Sequence, residues 1–345
     1  MLTQRKQNIL ILLLCSMLIL SSSCKENKQR KSLSSQVTLK PIAIDRFEQA
    51  VFEIDQKNLS QAKSAMAKKY GSFYDIYFGR IMNFGDPKNP NFDFILKDFI
   101  NHPDLKILYQ DVKKTYPDTK KISEDLAPLF ANYQTLYPND SIPKVATFIS
   151  GFNNAIVTTP NYIGIGLDMF MGKNYQFYAS VDFPAYITKR LSKEYITPAI
   201  AKALLNTKLP EANQTSTLLS EMIQEGKILY GIDLLLPEVE DSLKIGYTAE
   251  QLDWCKANEG NIYKLFIEDN LLFSAEQKKY AKYLEEAPFT AGLANNSAPR
   301  IGIWCGWQIV KNYMNNNPSI SFDELWKEKD AQKILKLATY KPKNI

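Results

Sequence analysis

Glu225 and Gly226 are the residues of this chain whose types and placement most suggest chemistry. Leu218, Met222, Leu229 and Ile232 recur at i, i+4, i+11 and i+14, one apolar helical stripe, and Glu225 falls on that stripe at i+7. A carboxylate on a buried face needs a reason, and so does the glycine after it, which costs about 1 kcal/mol in a helix interior relative to alanine. One reading makes Glu225 a ligand or catalytic carboxylate, with Gly226 admitting a neighbouring backbone or a substrate. The other makes it half of an ion pair with a base such as Arg300, because buried carboxylates persist mainly when partnered. The residues leave both open.

The partners that carboxylate would need for hydrolysis are scarce. The 345 residues contain one histidine, His102, which sits in Asn101-His102-Pro103 with no Cys or Glu at ligand spacing around it. A HExxH zinc site needs two imidazoles, and a Ser–His triad needs a well-placed base. There is no GxSxG, no Walker loop and no CxxC. Gly164-x-Gly166 lies within a strand-like run and no GxGxxG follows, so no dinucleotide cofactor is expected there. The 42 Lys+Arg and 37 Asp+Glu give a formal net charge of +5. The charges do not concentrate into a basic patch or tail, and nucleic acid is not an expected partner.

The first 23 residues read as a targeting leader. Arg5 and Lys6 are followed by a 12-residue apolar run from Ile9 to Leu20, then Ser21-Ser22-Ser23 and Cys24. The run is too short for a stable transmembrane helix, which takes ~20 apolar residues. Small residues followed by cysteine resemble a bacterial lipoprotein signal, in which Cys24 is acylated and becomes the first mature residue. Ser21 departs from the usual pattern, which has Leu three places before the cysteine, and plain secretion is the competing reading. Removing the leader lowers the net charge to +3. With Cys15 removed and Cys24 blocked, Cys255 and Cys305 are the remaining thiols, in a compartment that permits a disulfide. Their spacing allows a pair or two buried free thiols. Residues 24–39, rich in Lys, Gln, Ser and Asn, read as a flexible tether.

The body, 40–345, has no linker or repeat and reads as one domain. Helical patterns begin at 45–54, with Phe47, Val51 and Ile54 inward, and continue over 59–79, with Ala62, Ala65, Tyr70, Phe73 and Tyr77 inward. Three more follow before Pro138. Residues 145–149, 155–158 and 162–167 are the one β-rich region, where glycines at 151, 164, 166 and 172 suit tight turns or close backbone approach. Helices are expected again at 185–206, 214–235, 248–259, 261–269, 275–284, 299–315 and 321–337. Gly302-x-x-x-Gly306 puts two glycines on one helix face and predicts a tight intramolecular crossing; the segment is too short and polar to be a membrane dimer motif. The expected fold is α+β, predominantly helical, with one small sheet.

Together these segments resemble the gliding-motility lipoprotein GldB family over about residues 42–343. The resemblance rests on Ile44-Asp45-Arg46-Phe47, on Tyr70, Phe73 and Tyr77, and on Phe148 to Asn153. It continues through Ile163 to Gly172, Glu225-Gly226-Lys227 with Tyr230, Arg300-Ile301-Gly302, Gly306 to Val310, and Tyr340 to Lys343. That family is distantly similar to predicted zinc proteases of the zincin type, in which a HExxH helix is followed by a helix with a Glu-Gly pair. The similarity places Thr197–Leu205 where HExxH would be, without its imidazoles. It implies an inactive zincin-like scaffold with no catalytic residue and no metal. Glu225, Gly226, Asp168 and Arg300 are then candidates for its remnant cleft. The implied function is a lipid-anchored envelope protein, facing the periplasm or cell exterior, that supports gliding or its associated secretion machinery through protein contacts. A hydrolase with an altered metal-ligand set is one alternative. A peptide-binding module that adds a strand beside 162–167 is another.

Overall fold

A computed structural model describes residues 41–209 and 216–342. The leader, Cys24 and the 24–39 tether lie outside the described residues. The chain enters through strand β1 (Ile44–Arg46) and then runs through helices α1 (Phe47–Phe52), α2 (Leu59–Tyr70), α3 (Ser72–Ile76), α4 (Phe92–Asn101), α5 (Pro103–Thr115) and α6 (Lys120–Leu136). Strands β2 (Lys144–Phe148), β3 (Ile156–Thr158) and β4 (Tyr162–Gly166) follow. The remainder is α7 (Gln176–Ser180), α8 (Ala185–Thr188), α9 (Ile196–Asn206), α10 (Leu218–Leu235), α11 (Asp241–Ile245), α12 (Ala249–Ala257), α13 (Glu259–Glu268), α14 (Gln277–Tyr280), α15 (Ile301–Asn316), α16 (Phe322–Lys327) and α17 (Ala331–Ala338). The expected class, predominantly helical α+β with a small sheet, is the observed one.

The four strands lie in the order β1-β2-β4-β3. β1 and β2 are parallel, β2 and β4 are parallel, and β3 runs antiparallel to β4. The inner strands are covered on both faces, which is why 145–149 and 162–167 are nearly all apolar rather than alternating. Val145, Ile163 and Ile165 face a large core built with α6, α9, α10 and α15. Ala146, Phe148 and Tyr162 face a smaller aromatic core with Phe47, Tyr70, Phe73, Tyr77 and Phe78. Phe47 meets Tyr70, Phe73 and Tyr77 edge-on at centroid distances of 4.7, 5.2 and 4.8 Å, the geometry aromatic quadrupoles favour.

Several expected boundaries move. The helix expected at 45–54 begins at Phe47, because Ile44–Arg46 pairs with Val145–Thr147 and extends the sheet beyond the 145–167 region. Fully buried Glu48, paired with Arg46, accepts a hydrogen bond from Thr147 Oγ1 at 2.5 Å and ties α1 to that edge. The 59–79 helix breaks at Gly71 and ends in a π-helical turn, Tyr77–Ile81. Met66, not Ala65, takes the inward position there. The 185–206 helix is interrupted between α8 and α9, and 275–284 holds only α14 and a 3₁₀ turn. The 321–337 helix divides where Asp330 caps α17 by accepting from Lys333 N at 2.9 Å.

The crossing of α10 and α15 organises the molecule. A Cβ on Gly226 would lie 2.4 Å from the Gly306 carbonyl oxygen, and one on Gly306 would lie 1.9 Å from the Met222 carbonyl oxygen. The two backbones therefore touch, as the glycine spacing predicts for Gly306. Gly302 lies nearest Tyr283 and Leu284, each 3.0 Å from a Cβ placed there, with the Met222 side chain of α10 at 3.5 Å. The fully buried Trp307, one residue past the contact, donates from Nε1 to Asp233 Oδ2 of α10 at 2.9 Å.

Candidate functional site

A cavity of about 230 Å³ opens between α9, α10, the α11 turn and the start of α15. α9 contributes Pro198, Ala199 and Lys202, and α10 contributes Glu225 and Leu229. Arg190, Tyr195, Glu286 and Arg300 complete the polar wall, and Phe170, Leu191 and Ile303 are among the apolar lining. Both α9 and α10 present residues here because their opposite faces are in the core: Ile200, Leu204 and Leu205 of α9 and Leu218, Met222 and Ile232 of α10 are buried.

Glu225 is paired, though not by Arg300. Its Oε2 accepts from Lys202 Nζ at 3.1 Å, with the two side chains 30% and 44% exposed. The stripe position therefore brings the carboxylate to the mouth of the cavity rather than into the core. Arg300 turns to the opposite wall. Its Nη2 donates to the Ile245 carbonyl at 2.5 Å, its guanidinium sits 5.5 Å from the centroid of the Tyr247 ring, and its Nε lies 3.3 Å from Glu286 Oε2. Arg190 Nη1 donates to the other oxygen, Glu286 Oε1, at 2.7 Å. Lys244 is committed behind the cavity, bonding Asp233 at 2.8 Å and Asp241 at 3.2 Å. Burial pushes the Asp241 carboxyl up, but Lys311 and Lys244 beside it outweigh burial and leave it below the usual range.

Gly226, expected as part of the site, acts through the helix crossing and does not line the cavity. Asp168 is elsewhere. It is fully buried, and its Oδ2 accepts from Ser150 N at 3.0 Å, Phe152 N at 2.7 Å and Ser150 Oγ at 3.3 Å. Burial raises its carboxyl to about 6 despite those donors. Its role is to hold the 150–152 turn, where Gly151 and Phe152 both have φ of +67°. Cys255 and Cys305 are separate buried free thiols, so the disulfide alternative is not what the fold contains. Burial pushes the Cys255 thiol up to about 12, beside Tyr247.

Strand addition at 162–167 is also corrected. β4 is an interior strand with β2 on one edge and β3 on the other, so its main-chain groups are already paired. Zinc does not fit the cleft either. The helix that would carry imidazoles offers Lys202 to Glu225, an ammonium in place of a ligand. Among the described residues, no group of three or more His, Cys, Asp or Glu side chains could hold a metal ion. The residues missed by sequence reasoning are Lys202, Arg190 and Glu286. Lys202 had a usable signal, as the only charged residue in the run Ile196–Leu205.

These features define a predominantly helical α+β protein organised on a glycine-mediated helix crossing, with an ion-paired cleft beside it. The chain belongs to the gliding motility protein GldB family, a match that spans residues 26–342. No curated protein and no solved structure matches it. Family membership carries a role in gliding motility and the character of an envelope lipoprotein. Among the described residues, no helix is long and apolar enough to cross a membrane.

Proposed function

We propose that the chain is a lipid-anchored envelope protein that supports the gliding machinery, or its associated secretion system, through protein contacts on a zincin-like scaffold without catalytic activity. The observation that carries this reading is the Lys202–Glu225 pair. A carboxylate already partnered by an ammonium at 3.1 Å supports an ion-pairing role over that of a metal ligand. A half-exposed pair of this kind contributes about 0–1 kcal/mol to stability, so removing it leaves the fold intact. Anchoring is assigned to acyl chains on Cys24, with the folded body attached through 24–39.

The test is replacement of the chromosomal gene. Deletion abolishes gliding, and the full-length gene restores it. A Cys24→Ser chain leaves the membrane fraction and fails to restore gliding at wild-type abundance. A Cys24→Ser chain that stays in the membrane fraction through alkaline washing would remove lipid anchoring from the account. Purified wild-type protein carrying stoichiometric zinc and cleaving peptides, with both properties lost in Glu225→Ala, would replace the contact role with hydrolysis.

A further inference from the structure

The Arg190–Glu286–Arg300 end of the cavity brings two guanidiniums onto one carboxylate. Arg300 is 6% exposed and sits at φ +52°, a left-handed conformation that costs a non-glycine residue about 1 kcal/mol or more. Its side chain lines the cavity and is buried. Gly246, at φ +76°, makes room for the convergence: a Cβ there would lie 2.7 Å from Arg190 Cδ and 3.4 Å from Arg300 Nη2.

Charge accounting around the cavity leaves a surplus at this end. Lys202 is matched by Glu225, and Lys244 by Asp233 and Asp241. Two guanidiniums then share the single carboxylate of Glu286. That carboxylate serves them unequally. Arg190 donates a hydrogen bond to Glu286, whereas Arg300 Nε is buried and has no hydrogen-bond partner, its contact with Glu286 being an ionic approach at 3.3 Å. A buried guanidinium N–H without a bond retains its desolvation cost, which an arriving acceptor relieves. Glu286 itself is 39% exposed and lies on the irregular segment between α14 and α15, so it can swing outward.

We propose that Arg190 and Arg300 form a receptor for a monocarboxylate bearing a short apolar group, with Glu286 occupying the receptor until the ligand displaces it. The two oxygens of Glu286 already show the reading geometry, one to each arginine, and planar forks of this kind favour carboxylates. The apolar group rests against Leu191, Leu229 and Ile303. The cavity is smaller than the ~300–1,000 Å³ typical of sites for larger ligands, which limits the guest to one residue's worth of apolar chain. The carboxylate can come from the C-terminus of a polypeptide or from a free short acid. This site goes beyond the assembly role and is tested apart from it, on purified protein.

Calorimetric titration of the full-length lipoprotein in neutral detergent uses five probes: 4-methylpentanoate, its amide, acetyl-Ala-Leu with a free C-terminus, the same peptide amidated, and inorganic phosphate. Both acids bind, and both amides bind about tenfold or more weakly, because the arginines then lose their anionic acceptor. Arg190→Gln, which melts like wild type, weakens the acids about tenfold. Glu286→Gln tightens them about threefold or more, because it removes the internal competitor. Tighter binding of the peptide acid than of 4-methylpentanoate assigns the source to a chain terminus, and the reverse order assigns a free acid. Absence of binding by both acids would overturn the proposal. So would equal binding of inorganic phosphate, or weaker binding of the acids by Glu286→Gln.

Discussion

Replacing Gly306 with alanine is expected to unfold the protein or lower its stability by about 4 kcal/mol or more. The new Cβ would lie 1.9 Å from the Met222 carbonyl oxygen and 2.4 Å from its carbon, inside any tolerable contact distance. Both clashing partners are backbone, so no rotamer change relieves them. The helices must separate, which opens the core that Trp307, Met222 and Ile303 share, and separation also strains the Trp307–Asp233 hydrogen bond. Gly226→Ala meets the same crossing from the other side, 2.4 Å from the Gly306 oxygen. Gly79→Ala is the control. Its Cβ meets nothing nearer than 4.0 Å, and its stability should stay within about 1 kcal/mol of wild type. Urea midpoints of the three variants decide the matter. Wild-type stability in Gly306→Ala would mean that α10 and α15 do not touch as described.

Asp168→Ala is expected to cost about 3 kcal/mol, because the buried Ser150 N–H and the half-buried Phe152 N–H lose their acceptor in a turn already at positive φ. Asp168→Asn separates the charge from the acceptor. The folded carboxyl titrates near 6 and its ordinary value is 3.8, so between those pH values the native state binds more protons than the unfolded state. Stability from this group is therefore fully present below about pH 4, falls as pH rises to 6, and is flat above, a total of about 3 kcal/mol. The Asp168→Asn substitution abolishes that slope. Subtracting the Asp168→Asn stability curve from wild type over pH 4–7 cancels the other carboxylates. The difference should fall with pH. A flat or rising difference would contradict the buried, charge-penalised placement of Asp168.

What could be read from residue order was the part carried by local pattern. The stripe Leu218, Met222, Leu229, Ile232 is buried as its spacing demands, and Gly306 makes the close crossing. Spacing identifies a face but not every partner, and Gly302 packs on Tyr283 and Leu284 as well as on Met222 of α10. The same limit applied to Glu225. Its position left it open between a ligand or catalytic carboxylate and a pair with a base such as Arg300, and that Lys202 is the partner depends on how α9 and α15 approach α10. Strand order was hidden for a related reason. β1 and β2 are joined through six helices, and nothing local to Tyr162–Gly166 says that it pairs on both edges. Three-residue β1 is too short to display a period. Asp168 was grouped with the cleft by resemblance, whereas its contacts place it under the 150–152 turn.

The central claim is that the cleft carries no chemistry on which gliding depends. It is tested by gliding speed in a deletion strain expressing full-length Glu225→Ala at native level. Loss of a half-exposed pair worth about 0–1 kcal/mol leaves the protein folded and anchored, so speed is expected within about twofold of the wild-type complement. A strain that fails to glide, with Glu225→Ala present in the membrane at wild-type abundance and melting like wild type, would contradict it.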